Sequence, residues 1–402
     1  MNKITRKAIF RFFLTLTLIC LFLTSVVFSE KESYDYSSYS SSNSSTSFPL
    51  IKGSKVKNII FCIGDGMGIA QVAVSRINAV GLDGKLYMER MPITGIARTH
   101  SANNLITDSA AAGTALATGQ KTNNGVIAMS PDGKNKYLTI LEASKNKGMT
   151  TGLIATSSIT DATPASFASH VSSRKGQDDI AIQLLESKVN VLLGGGKQFF
   201  IPQSAQGSKR KDNRDLIAEA KAVGYAFVET NDDLKSAQGP FLLGLFQLDA
   251  LKTDPPEPTL GELTDKAIEI LSKNKKGFFL MVEGSQIDWA SHENKLDNTI
   301  KQTILFDEAV GKAIDFALKD KHTLVIVTAD HETGGLTIKG GDLNGKSLDV
   351  NWSTKGHSGT PVPLYAFGPN AKEFAGVYDN TDIPKTMARL LKIKLFPQTL
   401  EK

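Results

Sequence analysis

From Lys57 onward, short apolar runs alternate with longer amphipathic stretches. Residues 59–62, 151–155, 190–193, 277–282, 323–329 and 362–368 are almost wholly apolar, the pattern of strands buried on both faces. Apolar positions at three- and four-residue spacing predict helices over residues 69–80, 138–147, 178–187, 260–273 and 299–318. An Ala-rich helix is expected to begin at Ser109 and run through Leu116 and Thr118 to Gly119. Strand and helix alternate with no second linker and no internal repeat. This predicts a single large three-layer α/β domain, with a mostly parallel central sheet and helices on both faces. Residues 338–355 are polar, Gly-rich and non-periodic, and read as an inserted loop near the site. Asp297, Asp307 and Asp315 share an amphipathic helix with Lys301 and Lys312 and read as its solvated face.

The N-terminus has a different character. Residues 1–11 carry Lys3, Arg6, Lys7 and Arg11 and no acid, residues 12–28 are apolar, and Val27-Phe28-Ser29 offers a cleavage point. That is the order of a secretory signal, so residues 1–29 are expected to be removed and the protein exported to a periplasmic or extracellular space, without a stable membrane anchor. Residues 30–52, Ser-rich from Ser37 to Ser47, read as a flexible linker, leaving residues 53–402 as the main folded domain. The whole chain has a formal charge of +5, from 46 basic and 41 acidic residues. The signal holds four of the basic ones and no acid, which leaves 42 against 41. A near-neutral domain gives no reason to expect a nucleic-acid partner. Beyond the signal only Cys62 remains, so an internal disulfide is impossible, and its place in an apolar run marks an inert core thiol. The tail, Phe396 to Lys402, is polar and offers no lipid-anchor signal.

Candidate chemistry gathers where the apolar runs end. Ile63-Gly64-Asp65-Gly66-Met67-Gly68 follows the first run. Glu283-Gly284-Ser285-Gln286-Ile287-Asp288, leading to His292, follows another, and Thr328-Ala329-Asp330-His331-Glu332-Thr333-Gly334-Gly335 a third. In open α/β sheets ligands collect outside the carboxyl ends of the strands. Converging acids there repel one another unless cations neutralise them. Asp108-Ser109-Ala110-Ala111-Ala112-Gly113-Thr114 sets a serine hydroxyl at a helix start, where N–H groups and the helix dipole favour an anion.

These segments, with Thr107 to Asn124 and Val191-Leu192-Leu193-Gly194-Gly195-Gly196, resemble the alkaline phosphatase family over about Lys57 to Ala388. The resemblance implies a phosphomonoesterase holding two zinc ions and one magnesium ion. It implies Asp288, His292 and His357 on the first zinc; Asp65, Asp330, His331 and Ser109 on the second; and Asp65, Thr163 and Glu283 on magnesium, with Asp161 beside it. Donor hardness agrees, since the histidines go to zinc and the third set is all oxygen. Arg174 falls where the family clamps phosphate, and a guanidinium can grip two phosphoryl oxygens at once. Asp108 is expected to orient Arg174. Trp289 stands where some members carry Lys or His near the substrate, so weaker phosphate binding is implied. Glu332 reads equally as a support for the site or as a surface residue. His100, His170 and His322 read as ordinary helix or loop residues.

The implied reaction is double displacement on small phosphate monoesters of broad specificity through a phosphoserine at Ser109, in a homodimer. Rival readings fit less well. The third glycine of a dinucleotide loop begun at Gly64 would fall at Ile69, and Gly196-Lys197 is followed by Gln198 instead of the P-loop Ser or Thr. Phosphodiesterases and sulfatases share the metal plan, but the block around Ser109 has the monoesterase form. A non-catalytic metal- or phosphate-binding protein would not need Ser109, Arg174 and every ligand together.

Overall fold

The computed structural model describes residue 39 and residues 46–400. The expected signal lies outside them, as does the expected linker apart from Tyr39 and residues 46–52. Along the chain come β1 (Asn58–Gly64), β2 (Ile93–Arg98), β3 (Lys136–Tyr137), β4 (Thr150–Ser158), β5 (Val191–Gly195), β6 (Ala226–Val228), β7 (Leu242–Leu245) and β8 (Phe278–Gly284). They are followed by β9 (Thr323–Thr328), β10 (Glu332–Thr333), β11 (Leu336–Gly341), β12 (Leu348–Trp352), β13 (His357–Ser358), β14 (Val362–Phe367), β15 (Gly376–Asp379) and β16 (Thr399–Leu400).

Ten strands form one sheet in the order β15-β2-β14-β9-β1-β8-β4-β5-β7-β6. Strand β14 is antiparallel to both its neighbours, and every other pairing is parallel. Every residue of β1, β8 and β9 is buried, so the middle of the sheet is covered on both faces. That requirement explains their unbroken apolar composition. The registers Ile59↔Phe279 and Ile59↔Leu324 hold the three strands level, so they end together.

The helices fall into two groups that pack among themselves. One comprises Ile69–Val80, Leu260–Leu271, Gln286–His292 and Leu296–Asp320; the other includes Ser109–Thr118, Ile140–Asn146, Ala162–Ala168 and Gln177–Glu186. Leu260–Leu271 shows why such a segment folds. Thr259 and Glu262 form a reciprocal capping box at its start. Leu260, Leu263, Ala267 and Leu271 then make one buried stripe. Fully burying one leucine contributes roughly 1.5–3 kcal/mol by area, and Leu263→Ala would cost about 2–5 kcal/mol with its cavity.

Two expectations are corrected. Residues 338–355 do not form an inserted loop, because β11 and β12 pair antiparallel across most of that stretch, from Leu336↔Trp352 to Gly341↔Leu348. Apolar positions there are too sparse to show the alternation. Asp307 is not on a solvated face. Asp297 and Asp315 are exposed, but Asp307 is fully buried. It accepts hydrogen bonds from the backbone N–H of Tyr87 at 2.7 Å and of Met88 at 2.9 Å, and from the hydroxyl of Tyr39. Tyr39, inside the expected linker, is itself buried and meets the Tyr87 ring edge-on. Cys62 is buried in β1, and burial pushes its thiol pKa up, as an inert core thiol requires. No helix among the described residues is long and apolar enough to cross a membrane.

Candidate active site

Four adjacent parallel strands, β9, β1, β8 and β4, deliver the predicted residues to one edge of the sheet. Asp330 and His331 follow β9, Asp65 follows β1, Glu283 lies at the end of β8, and Asp161 and Thr163 follow β4. His357 sits on β13, just before the reversed strand β14 enters the sheet from that same edge. After β8 the helix Gln286–His292 carries Asp288 and His292 one turn apart. Gly66, at φ +71°, lets the loop after β1 pass this helix closely, since a Cβ there would meet Asp288 Cα and Thr333 Oγ1 at 2.8 Å.

Two groups of candidate ligand atoms converge. His331 Nε2 lies 3.5 Å from Asp65 Oδ1 and 3.1 Å from Asp330 Oδ2. Both oxygens are buried without a hydrogen bond among the described residues, and so is Thr163 Oγ1. In the second group His292 Nε2 lies 3.3 Å from Asp288 Oδ2 and 3.2 Å from His357 Nε2, and His357 Nε2 lies 3.6 Å from Asp288 Oδ1. The rings of His331 and His357 stack with centroids 3.5 Å apart, so His331 also neighbours this group. Carboxylate oxygens and imidazole nitrogens that crowd one point, with Asp65 Oδ1 and Asp330 Oδ2 left without a donor among the described residues, are the arrangement a cation's ligands adopt. The residues present fit metal ions, nitrogen with oxygen in both groups and oxygen alone around Thr163 and Glu283.

The rest of each imidazole is held by the protein. His357 Nδ1 lies 2.8 Å from the carbonyl of Thr107, and His292 Nδ1 2.5 Å from that of Lys355. Both contacts turn Nε2 towards the cluster. Thr333, on β10, donates to Asp288 Oδ1, and its Oγ1 lies 3.3 Å from His331 Nδ1. Ser285 donates to Glu283 Oε2 at 2.7 Å. Sequence reasoning missed Thr333 and Ser285. Both stand inside the recognised motifs, yet nothing in their spacing tells which carboxylate they serve.

Electrostatics mark the same edge. Burial, then the charges of Asp330 and Asp288, raises the pKa of Asp65 well above the carboxylate range. Burial also lifts Glu283 to about 8 and Asp330 to about 6. Burial pushes Asp288 the same way, but the bond to His292 and the electrostatic pull of the neighbouring imidazoles outweigh it and hold it at about 2. His292 rises to about 9 on its bond to Asp288. Burial, reinforced by the charge of His357, holds His331 well below its ordinary value, so its ring is neutral and Nε2 keeps a lone pair to share.

Ser109 is the first residue of the helix Ser109–Thr118, whose N-cap is Asp108; Asp108 Oδ1 accepts from Ala111 N at 3.0 Å. Ser109 Oγ is buried 3.3 Å from His331 Nε2. Arg174 reaches the same place. Its Nη2 donates to Asp161 at 3.0 Å and its Nη1 to Asp108 Oδ2 at 3.5 Å. Burial opposes the guanidinium charge, but Asp161 and Asp108 more than offset it and raise the pKa. The hold of Asp161 on Arg174 was not read from the sequence. Trp289 is not drawn into this set. It is 39% exposed and lines a groove of about 250 Å³ with Lys252, Gln286, Lys301 and Gln302. His100 pairs with Asp379, and His170 with Glu142, away from the cluster.

Fold and site together define an α/β enzyme whose centre sets a serine hydroxyl against carboxylate–histidine clusters fit for metal ions. The family model for alkaline phosphatase matches residues 56–348 and 342–393. Alkaline phosphatase 4 of Bacillus subtilis is 37% identical, the alignment covering 84% of this chain and 89% of the relative. Alkaline phosphatase of Escherichia coli is 35% identical over 84% of this chain and 86% of its own. Among solved structures, a mutant of alkaline phosphatase from the Antarctic bacterium TAB5, with Mg bound in its M3 site, superposes with a TM-score of 0.76 at 35% identity. That match covers 86% of this chain and 99% of the other. The chain belongs to the alkaline phosphatase family, and its activity is the hydrolysis of phosphate monoesters.

Proposed function

We propose that the chain hydrolyses phosphate monoesters of broad structure by double displacement through a phosphoserine at Ser109. The observation that carries this reading is the meeting of Ser109 Oγ, the neutral His331 and the Arg174 guanidinium at a helix start. Arg174, held between Asp108 and Asp161, grips two phosphoryl oxygens. The backbone N–H groups at the helix start favour the serine oxygen as an anion. Ser109 Oγ loses its proton and bonds to phosphorus as the ester P–O bond breaks, and the alcohol leaves with a proton. Water then attacks phosphorus, the serine–phosphorus bond breaks, Ser109 regains a proton and inorganic phosphate departs. Most contacts fall on the phosphoryl group, so the alcohol matters little.

Asp288, His292 and His357 would hold one zinc ion, and Asp65, Asp330, His331 and Ser109 a second. Asp65, Thr163 and Glu283 would hold magnesium, with Asp161 beside it; the relative solved with Mg in its M3 site supports an oxygen-rich third position. When bound, the cations neutralise the clustered carboxylates and stabilise the charge that builds up as bonds to phosphorus form and break. Residues 1–29 act as an export signal, residues 30–52 precede the catalytic domain, and the working form is a homodimer outside the cytoplasm.

Ser109→Ala tests the nucleophile. Turnover of p-nitrophenyl phosphate should fall at least about a thousandfold, while zinc content and thermal stability stay near wild type. Near-normal turnover removes Ser109 from that role.

A further inference from the structure

Glu332 is a buried carboxylate that belongs to none of the ligand groups. Its Oε1 accepts from Gln71 Nε2 at 3.0 Å and from the backbone N–H of Leu336 at 3.2 Å. Its Oε2 accepts from the backbone N–H of Gly335 at 3.1 Å and from the hydroxyl of Ser358. These donors come from three segments: the helix after the Asp65 loop, the turn after β10, and β13 beside His357. In β10 and β13, Glu332 faces Ser358 and Thr333 faces His357, so Glu332 closes the two-residue pairing that stacks the rings of His331 and His357.

Gln71 is shaped to this task. It is fully buried, its amide nitrogen serves both Glu332 and the carbonyl of Thr333, and its Oε1 is left without a hydrogen bond among the described residues. An orphaned buried oxygen is destabilising, which points to an amide oriented for the carboxylate. Gly68 leaves the room, since a Cβ there would stand 2.4 Å from Glu332 Cγ.

We infer that Glu332 is a positioning residue for the metal centre, a clasp that ties the helix after the Asp65 loop, the turn after β10 and β13 together and sets the spacing of His331 and His357. The inference rests on the metal-dependent reading of the site. Four donors on one carboxylate resist rotation of all three segments, so loosening it should release both imidazoles before it unfolds the sheet.

The test titrates zinc into chelator-stripped wild type, Glu332→Gln and Ser358→Ala, with affinity read by competition against a chromophoric chelator. Glu332→Gln should weaken the tighter zinc site by about 10–100-fold. Ser358→Ala, which removes one donor of four and is the milder change, should weaken it several-fold, with the melting temperature of the metal-free protein near wild type. Turnover of both variants should climb back towards wild type as free zinc is raised, which a purely structural defect would not do. Wild-type zinc affinity in both variants overturns the clasp and leaves the functional reading standing. A wild-type protein that binds no zinc overturns the functional reading itself.

Discussion

Two regions of this molecule bury carboxylates, and they differ in what faces the oxygens. At Asp307 each oxygen has a donor: Tyr87 N and the Tyr39 hydroxyl on Oδ2, and Met88 N on Oδ1. At the sheet edge, Asp65 Oδ1 and Asp330 Oδ2 have none among the described residues, though a histidine nitrogen lies within 3.5 Å of each. Burial raises the pKa in both places, Asp307 to about 7 and Glu283 to about 8, so a shifted pKa does not separate structure from function here. The orphaned oxygens do. A carboxylate satisfied by backbone N–H groups pins two segments together, whereas several carboxylates with oxygens to spare lack positive charge.

Supplying or removing that charge gives the largest expected effect. Chelation should abolish phosphatase turnover, and zinc should restore it more fully with magnesium present than alone. The same experiment should move protons. In the metal-free protein Glu283, at about 8, is mostly protonated at pH 7, and Asp65 also lies above its ordinary value. A cation lowers both, so binding at pH 7 should release about one proton or more per chain. Calorimetry in two buffers of different ionisation enthalpy measures this. Metal binding with no proton release would mean that these carboxylates do not meet the ion.

A smaller effect is expected at Asp307. Its folded pKa, about 7, lies above the unfolded value of about 3.9. The stability it contributes is therefore fully present below about pH 4 and is lost as pH rises towards 7, by up to about 4 kcal/mol. In metal-free proteins, the stability of wild type minus that of Asp307→Asn should fall over this window and level off above it. Melting curves at several pH values check the slope. A flat difference would mean that the three donors already hold the carboxylate ionised.

The contrast also shows how far the sequence could be read. Unbroken apolar runs gave away β1, β4, β5, β8, β9 and β14, because a strand covered on both faces has no other composition to use. The helix Ile69–Val80 lies where its spacing put it, and the sheet is mostly parallel as expected. β7 lies in the apolar run from Phe241 to Phe246, as plain a signal as that of β1, and was missed; β6 is only three residues long, and the hairpin β11–β12 carries too few apolar positions to register. Ligand types were legible because acids and histidines stand at strand ends. Asp307 was not, since two of its three donors are backbone N–H groups far off in the chain, which leave no mark on residue identity. Glu332 was not, since it joins the nearby N–H groups of Gly335 and Leu336 to the side chains of Gln71 and Ser358, which only the fold brings together. The same limit hid the carbonyls that orient His292 and His357.

The smallest effect is expected at Trp289, and it probes how far the charged edge extends. Asp288 and His292 lie one turn apart and face the cluster, with side chains 7% and 36% exposed. Trp289 is one residue further round the same helix, and its indole lines the groove with Lys252 and Lys301. A lysine at this position would reach the phosphate only through solvent. Such a contact contributes well under about 1 kcal/mol and weakens with salt. Trp289→Lys should therefore lower the inhibition constant for inorganic phosphate by about threefold at low ionic strength, and by less at about 0.5 M salt. Product inhibition of p-nitrophenyl phosphate turnover, measured for both proteins at the two salt concentrations, decides it. A drop of tenfold or more that survives salt would put residue 289 directly over the anion. An unchanged constant at low salt would confine the indole to packing in its groove.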